Sequence, residues 1–383
     1  MATGSPALPP RPAWVEIDLG RLRRNFQLIH RDKSPALRLL SVVKDEAYGH
    51  GALAVSKVAL AEGAAFLGLG TLEEAVTLRD RGLTAPMLLI GERQEAELAW
   101  CVERDLTVCV SDRRAALALA QLAAARNRPV PVHVKINTGM NRYGVRWTEA
   151  LSLIELICST KSLALEGVMS HFAQSDEADK TFARLQLERF NSVLRGLEAR
   201  GVSVRYRHLC NSGGFLDVPQ AHFDLVRLGI LPLGVYPSAV CRRLAGIEPV
   251  MTVKARIAAL QDLEPGDPVG YGMRYAAPAR RRVAVLPIGY GDGFPRVRNQ
   301  GFVLLHGRRA PIIGGVAMDA TIADITDIPQ AVRWDEAVLM GRQGNEEITA
   351  REVAQLKNSV SYDVLAGWRG RLPRVYLDEA PAG

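Results

Sequence analysis

The chain has 383 residues, 48% of them hydrophobic and 23% charged, with a formal net charge of +7. That is enough chain for two domains with ordinary cores; no apolar stretch approaches the roughly 20 residues that cross a bilayer. The start, Met1 to Pro12, lacks the basic and long apolar regions of a secretory leader. The five cysteines, Cys101, Cys109, Cys158, Cys210 and Cys241, show no CxxC spacing, which predicts reduced thiols in a cytoplasmic protein and argues against a structural metal site. The basic residues are dispersed rather than clustered, which argues against nucleic acid as a partner. The excess positive charge suits a bound anion.

Along the chain, helical patterns alternate with short apolar runs at 37–43, 65–69, 87–90, 106–110, 130–136, 163–169, 204–209 and 223–228. Eight strands separated by helices predict an α/β fold, a closed parallel (β/α)8 barrel of the TIM type. Ser111-Asp112 reads as a helix start, and the helical run 180–200 ends at Gly201, a suitable residue just past a helix end. From Pro249 onward the periodicity changes to short alternating strands at 251–259, 283–288, 302–305, 321–325 and 337–340, punctuated by glycine and proline. The predicted domains are a barrel over 1–245 and a mainly β domain over 246–383.

Barrels bind ligands at the carboxyl ends of their strands. The residues there are chemically purposeful: Lys44 and Tyr48 after the first strand, Asn137 to Arg142 after the fifth, His171 after the sixth, Asn211-Ser212-Gly213-Gly214 after the seventh, and Arg227 to Ile230 at the end of the eighth. The chain holds only eight lysines against forty arginines, so a lysine at a strand end calls for a reason that arginine cannot meet. Only the amine of lysine can lose its proton and condense with a carbonyl. Glycines and a serine after the last two strands can supply amides and a hydroxyl to a phosphate. A carbonyl-reactive lysine beside a phosphate cradle points to pyridoxal 5'-phosphate.

The block Val42-Val43-Lys44 followed by Ala47-Tyr48-Gly49-His50-Gly51, together with Asn137-Thr138-Gly139-Met140-Asn141-Arg142, Ser170-His171-Phe172-Ala173 and Gly314-Gly315-Val316-Ala317-Met318-Asp319, resembles the alanine racemase family of pyridoxal phosphate enzymes. The resemblance runs from Trp14 to Arg374. It implies that Lys44 bonds the cofactor and serves as one acid/base, and that Tyr48, Ser212, Gly229 and Ile230 hold the phosphate. It places Arg142 at the cofactor phenolic oxygen and the substrate carboxylate, with Lys135 where some members carry a carbamylated lysine that orients this arginine. His171 lies against the pyridine ring, His208 stands behind Arg227, and Asn211 supports the cradle.

By the same matching, Arg227 faces the pyridine nitrogen. A guanidinium donates and does not accept, so the ring stays less electron-hungry than one facing a carboxylate, which favours racemisation over transamination. Racemisation needs a second acid/base on the opposite face of the α-carbon, and the resemblance assigns it to Tyr271. That phenol needs cationic or hydrogen-bonded surroundings to work near neutrality. The family arrangement carries it, with Met318 and Asp319, from the β domain into the barrel of a second subunit, with Tyr290 at the entrance, so a homodimer is implied. The implied reaction is interconversion of L- and D-alanine, supplying D-alanine for peptidoglycan.

The chain departs from the family pattern at Asp45-Glu46, which replaces an Ala-Asn pair, and at Leu233, Gly315, Ala317 and Gly370. A racemase of the same class for another amino acid is the nearest alternative. A non-catalytic cofactor carrier would lack the β domain and Tyr271. A decarboxylase would carry an acidic residue at the Arg227 position and a cysteine in the second domain, and no cysteine follows Cys241.

Overall fold

The computed structural model describes residues 9–126 and 128–378; the outer ends of the two expected domains, 1–8 and 379–383, lie outside them. The chain divides into two compact units. The larger, Arg23–Ala47 with Ala52–Ile247, is the barrel. Its strands are Arg38–Val42, Phe66–Leu69, Met87–Leu89, Thr107–Val110, Val130–Asn137, Leu163–Met169, Tyr206–His208 and Leu225–Leu228. All eight runs read from the sequence are strands, and every ladder between successive strands is parallel. The eighth strand pairs with the first, Leu225 opposite Arg38 and Leu228 opposite Ser41. Between the seventh and eighth, the ring is closed by two backbone hydrogen bonds, Asp224 N–H to Arg207 O at 3.1 Å and Arg227 N–H to Cys210 O at 3.0 Å. The barrel is therefore nearly closed, with one thin seam.

The interior is filled by Leu40, Phe66, Leu88, Cys109, Met169, Tyr206 and Leu225, so it is a packed core and leaves chemistry to the strand ends. The helices follow local signals. Asp112 caps Arg113–Ala123 by accepting the Ala115 N–H at 2.8 Å. Thr71 and Glu74 form a reciprocal capping box at Leu72–Asp80.

The other unit contains residues 248–378, residues up to Leu22 and the four residues Tyr48–Gly51. The strand Ala13–Asp18 belongs here: it runs antiparallel to Met251–Arg256 and parallel to Arg374–Leu377. Its alternation buries Ala13, Val15 and Ile17 in this unit's sheet. The sheet continues through Glu336–Gln343 and Phe302–Leu305 to Arg308–Pro311, with Glu346–Ile348 on Glu336–Gln343. Ala259–Leu263, Arg281–Leu286 and Thr321–Asp324 form a second, three-stranded sheet. Two short helices, Ala350–Leu356 and Ser361–Gly367, complete the unit.

Gly49 and Gly51 show why this loop cannot take side chains. Gly49 has φ +78°, its carbonyl accepts from Arg374 Nε at 3.1 Å, and a Cβ there would stand 2.4 Å from the Leu365 carbonyl oxygen. Gly51 has φ +97°, and its Cβ would stand 1.9 Å from the Tyr376 hydroxyl. Gly49→Ala is expected to lose roughly 1–2 kcal/mol from the left-handed backbone alone, with the contact adding to it, as read from denaturant midpoints; an unchanged midpoint would show that the loop can move aside.

Candidate active site

Lys44 follows the first barrel strand, and the four residues after it, Asp45, Glu46, Ala47 and Tyr48, have φ between +51° and +53°. A left-handed turn without glycine is strained, and such strain persists only where surroundings over-determine it. Glu74 supplies much of the hold: Oε1 accepts the Asp45 N–H at 2.6 Å, while Oε2 accepts from Gly70 N–H at 2.8 Å and Thr71 N–H at 3.1 Å. Ala47 N–H closes the turn onto the Val43 carbonyl at 2.9 Å. Glu46 accepts the Ala52 N–H at 3.0 Å, at the start of the helix Ala52–Ala61. The two unexpected carboxylates are thus accounted for in part: both side chains are exposed, and Glu46 serves a helix N-terminus, where negative charge is favourable.

Beyond the later strands, positive charge gathers around one imidazole. His171 is held well below its usual range, first by burial and then by Arg227, Arg142, Lys135 and Lys44. Arg227 is 2% exposed, and burial lowers it to about 10, still cationic at neutral pH. Its Nη2 donates to the Ser170 carbonyl at 2.6 Å, the Leu209 carbonyl at 3.1 Å and His171 Nδ1 at 3.1 Å; its Nη1 donates to His208 Nδ1 at 3.1 Å. Lys135 is 4% exposed, donates to the Ile90 carbonyl at 2.7 Å and lies 5.1 Å from the Tyr143 ring. Burial pushes its pKa down, and Arg227 and Arg142 push it further. Arg142 is exposed on a turn that Asn137 organises by accepting the Gly139 and Asn141 N–H groups at 3.0 and 3.1 Å. Among the described residues none of these four cations has a carboxylate salt-bridge partner.

The loops after the last two strands meet. Ser212 Oγ accepts the Leu231 N–H at 3.4 Å, which sets the serine beside the segment holding Gly229 and Ile230. Asn211 caps the turn Ser212–Asp217 by accepting the Gly214 N–H at 2.9 Å, and Ser175 donates to the same oxygen at 2.7 Å.

Tyr48, Tyr271, Tyr290, Met318 and Asp319 lie in the β unit. Tyr271 is 79% exposed on the turn Tyr271–Met273, and Met318 and Asp319 are exposed as well. Tyr290 begins a turn joined to the Met318 segment by Tyr290 N–H to Ala317 O at 3.0 Å and Gly291 N–H to Met318 O at 2.7 Å. Asp292 ends that turn, buried, with Arg11 paired to it at 2.6 Å.

Sequence reasoning misses three supports, Gln186 and His133 buried and Glu166 half-buried. Gln186 donates to the His171 carbonyl at 2.9 Å and to Thr138 Oγ1 at 3.1 Å, and accepts the Ala173 N–H at 2.8 Å. His133 and Glu166 extend the contacts of His208. Their only signal is a polar residue on an otherwise apolar strand or helix face.

A barrel that ends its first strand in a lysine followed by a strained turn, and gathers cations without carboxylate salt-bridge partners among the described residues, has the features of an enzyme site suited to an anion. Residues 17–237 match the family described as "Alanine racemase, N-terminal domain", and residues 250–376 match "Alanine racemase, C-terminal domain". A relative named alanine racemase from Syntrophobacter fumaroxidans is 42% identical over 353 residues, covering 92% of this chain and 94% of its own. The solved alanine racemase of Clostridium difficile superposes with a TM-score of 0.92 at 30% identity, covering 97% of each chain. That of Bacillus anthracis, solved with bound L-Ala-P, gives 0.90 at 30% identity, again covering 97% of each. The chain belongs to the alanine racemase family.

His133, His171 and His208 are all held below the usual histidine range, burial being the first cause in each. Unfolded, each titrates near 6.5. Below that pH the unfolded chain binds protons that the folded chain refuses, so stability falls as pH is lowered. Urea midpoints should drop between pH 7 and pH 5.5, with proton uptake on unfolding; a midpoint that holds or rises would mean that these imidazoles are charged in the folded protein.

Proposed function

We propose that this protein is a pyridoxal-phosphate-dependent racemase that interconverts L- and D-alanine as a cytoplasmic homodimer. The observation that carries the reading is the central cation: the buried group is Arg227, held by two imidazoles and two carbonyls and, among the described residues, by no carboxylate. No helix among the described residues is long and apolar enough to cross a membrane.

The residues present fit the cofactor. Four cations without carboxylate salt-bridge partners among the described residues present positive charge that a phosphate and a phenolate would offset. Lys44 would bond the aldehyde. Ser212, Gly229 and Ile230, with Tyr48, would hold the phosphate. Arg142 would meet the phenolic oxygen and the substrate carboxylate, with Lys135 steering it, and His171 would lie on the ring. Pyridoxal phosphate, when bound, supplies an electron-withdrawing ring that weakens the α C–H bond of the attached amino acid. Arg227 would leave the ring nitrogen of the bound cofactor without a proton, since it has only hydrogens to offer. Lys44 moves a proton on one face of the α-carbon. Tyr271 of a second copy would move one on the other face, a role that suits a phenol standing exposed on its own unit. Tyr290 and Met318, joined through backbone hydrogen bonds, would frame the way in, with Asp319 beside them.

Protein loaded with pyridoxal phosphate and given L-alanine in deuterated water should release D-alanine carrying deuterium at the α-carbon. Exchange with a different amino acid alone would move the substrate, and exchange with none would sink the racemase reading. Lys44→Ala should abolish the absorbance of the bound cofactor. Tyr271→Phe should slow α-hydrogen exchange on one face of the α-carbon roughly 10²–10⁴-fold, the range of a lost acid/base, and far less on the other; equal, mild losses on both faces would contradict the two-base assignment.

A further inference from the structure

Behind Arg227 runs a file of polar groups, buried except at its far end, that the reaction as described leaves unused. Arg227 Nη1 lies 3.1 Å from His208 Nδ1, His208 Nε2 lies 2.8 Å from His133 Nδ1, and His133 Nε2 lies 3.3 Å from Glu166 Oε2. The first member dictates every proton in the file. A guanidinium only donates, so His208 Nδ1 must accept, and its single proton then sits on Nε2. That proton is given to His133 Nδ1, which must also accept, leaving the His133 proton on Nε2, aimed at the Glu166 carboxylate. Reversing the order would set N–H against N–H at Arg227. A doubly protonated His133 fails in the same way against His208. The three contacts are satisfied together by two neutral imidazoles of one tautomer.

The packing is built for this file. His133 and His208 are fully buried, with ring centroids 4.9 Å apart at 77°, and Phe66 and Tyr206 pack on His133. Gly167 makes the room: a Cβ there would stand 2.8 Å from both Cε1 and Nδ1 of His133. Only Glu166 reaches water, with 19% of its side chain exposed and Arg205 3.9 Å away.

We propose that His133 and Glu166 are positioning residues for Arg227: the carboxylate, acting through two imidazoles, holds His208 in the tautomer that accepts from the guanidinium, and so sets its orientation toward the ring nitrogen of bound pyridoxal phosphate. A carboxylate at the far end also polarises each bond in turn, making His208 Nδ1 a better acceptor. The second half of the proposal rests on the cofactor reading of Arg227; the tautomer assignment does not.

Nitrogen-15 NMR of the imidazoles at pH 7, on cofactor-free and loaded protein, should show His133 and His208 neutral with the proton on Nε2. A charged ring, or a proton on Nδ1 in either, overturns the assignment. Glu166→Gln keeps an accepting oxygen and should retain both tautomers and most of the activity. Glu166→Ala should leave His133 a mixture of tautomers, shift the absorbance of bound cofactor and lower kcat about tenfold, on the scale of lost outer-layer support, while KM for alanine stays nearly constant. Gly167→Ala, which pushes on the His133 ring, should do the same. An unchanged Glu166→Ala spectrum and kcat, or equal losses in the Gln and Ala variants tracking melting temperature alone, would overturn the positioning role. Should the unaltered protein bind no pyridoxal phosphate or leave alanine unchanged, the functional reading fails, and the cofactor-free spectra still decide the order of protons.

Discussion

A buried guanidinium has hydrogens to give and no lone pair to receive one, and much of this barrel is arranged around that asymmetry at Arg227. Removing such a charge from water is costly unless its hydrogens find acceptors. Here the acceptors are the Ser170 and Leu209 carbonyls and the Nδ1 atoms of His171 and His208. Ser170 and His171 follow the sixth strand, His208 ends the seventh with Leu209 after it, and Arg227 itself sits in the eighth. One side chain therefore ties three strands together beside the thinnest seam in the barrel wall. Burial first, and then this same guanidinium among other cations, holds His171 and His208 well below the usual histidine range, so closure of the fold and electrostatics of the site meet at one side chain.

The lysine turn shows the complementary logic. Four successive non-glycine residues in left-handed backbone are unfavourable individually, yet Glu74 binds three amides at once and makes the turn part of its own helix cap. Strain in the turn after Lys44 is carried by a neighbouring helix start. The carboxylates of Asp45 and Glu46 remain exposed, outside the buried cation cluster.

The barrel is legible in the sequence because strands covered on both faces read as continuous apolar runs, and the strands of the β unit are legible from alternation. The strand Ala13–Asp18 alternates too, but its partners stand at Val253 and Arg374, a separation that no local pattern reveals. Nothing in Asp45-Glu46-Ala47-Tyr48 signals left-handed backbone, since none is a glycine. Lys44, Arg142, His171 and Arg227 are legible because chemistry concentrates at strand ends. His133 sits inside the run 130–136 and Glu166 inside 163–169; one polar residue in an apolar strand reads as incidental until the fold stacks it against another.

The strand Ala13–Asp18 also sets an order of assembly. Synthesis delivers it first, yet both of its partners, Met251–Arg256 and Arg374–Leu377, come more than two hundred residues later. The barrel residues are complete before either partner exists, so the barrel can mature while this strand waits with its edges unpaired. Unpaired edges recruit other chains. A chain cut short inside the β unit would therefore keep at least one edge of this strand unpaired, because Arg374–Leu377, the last described strand, is the one that covers that edge.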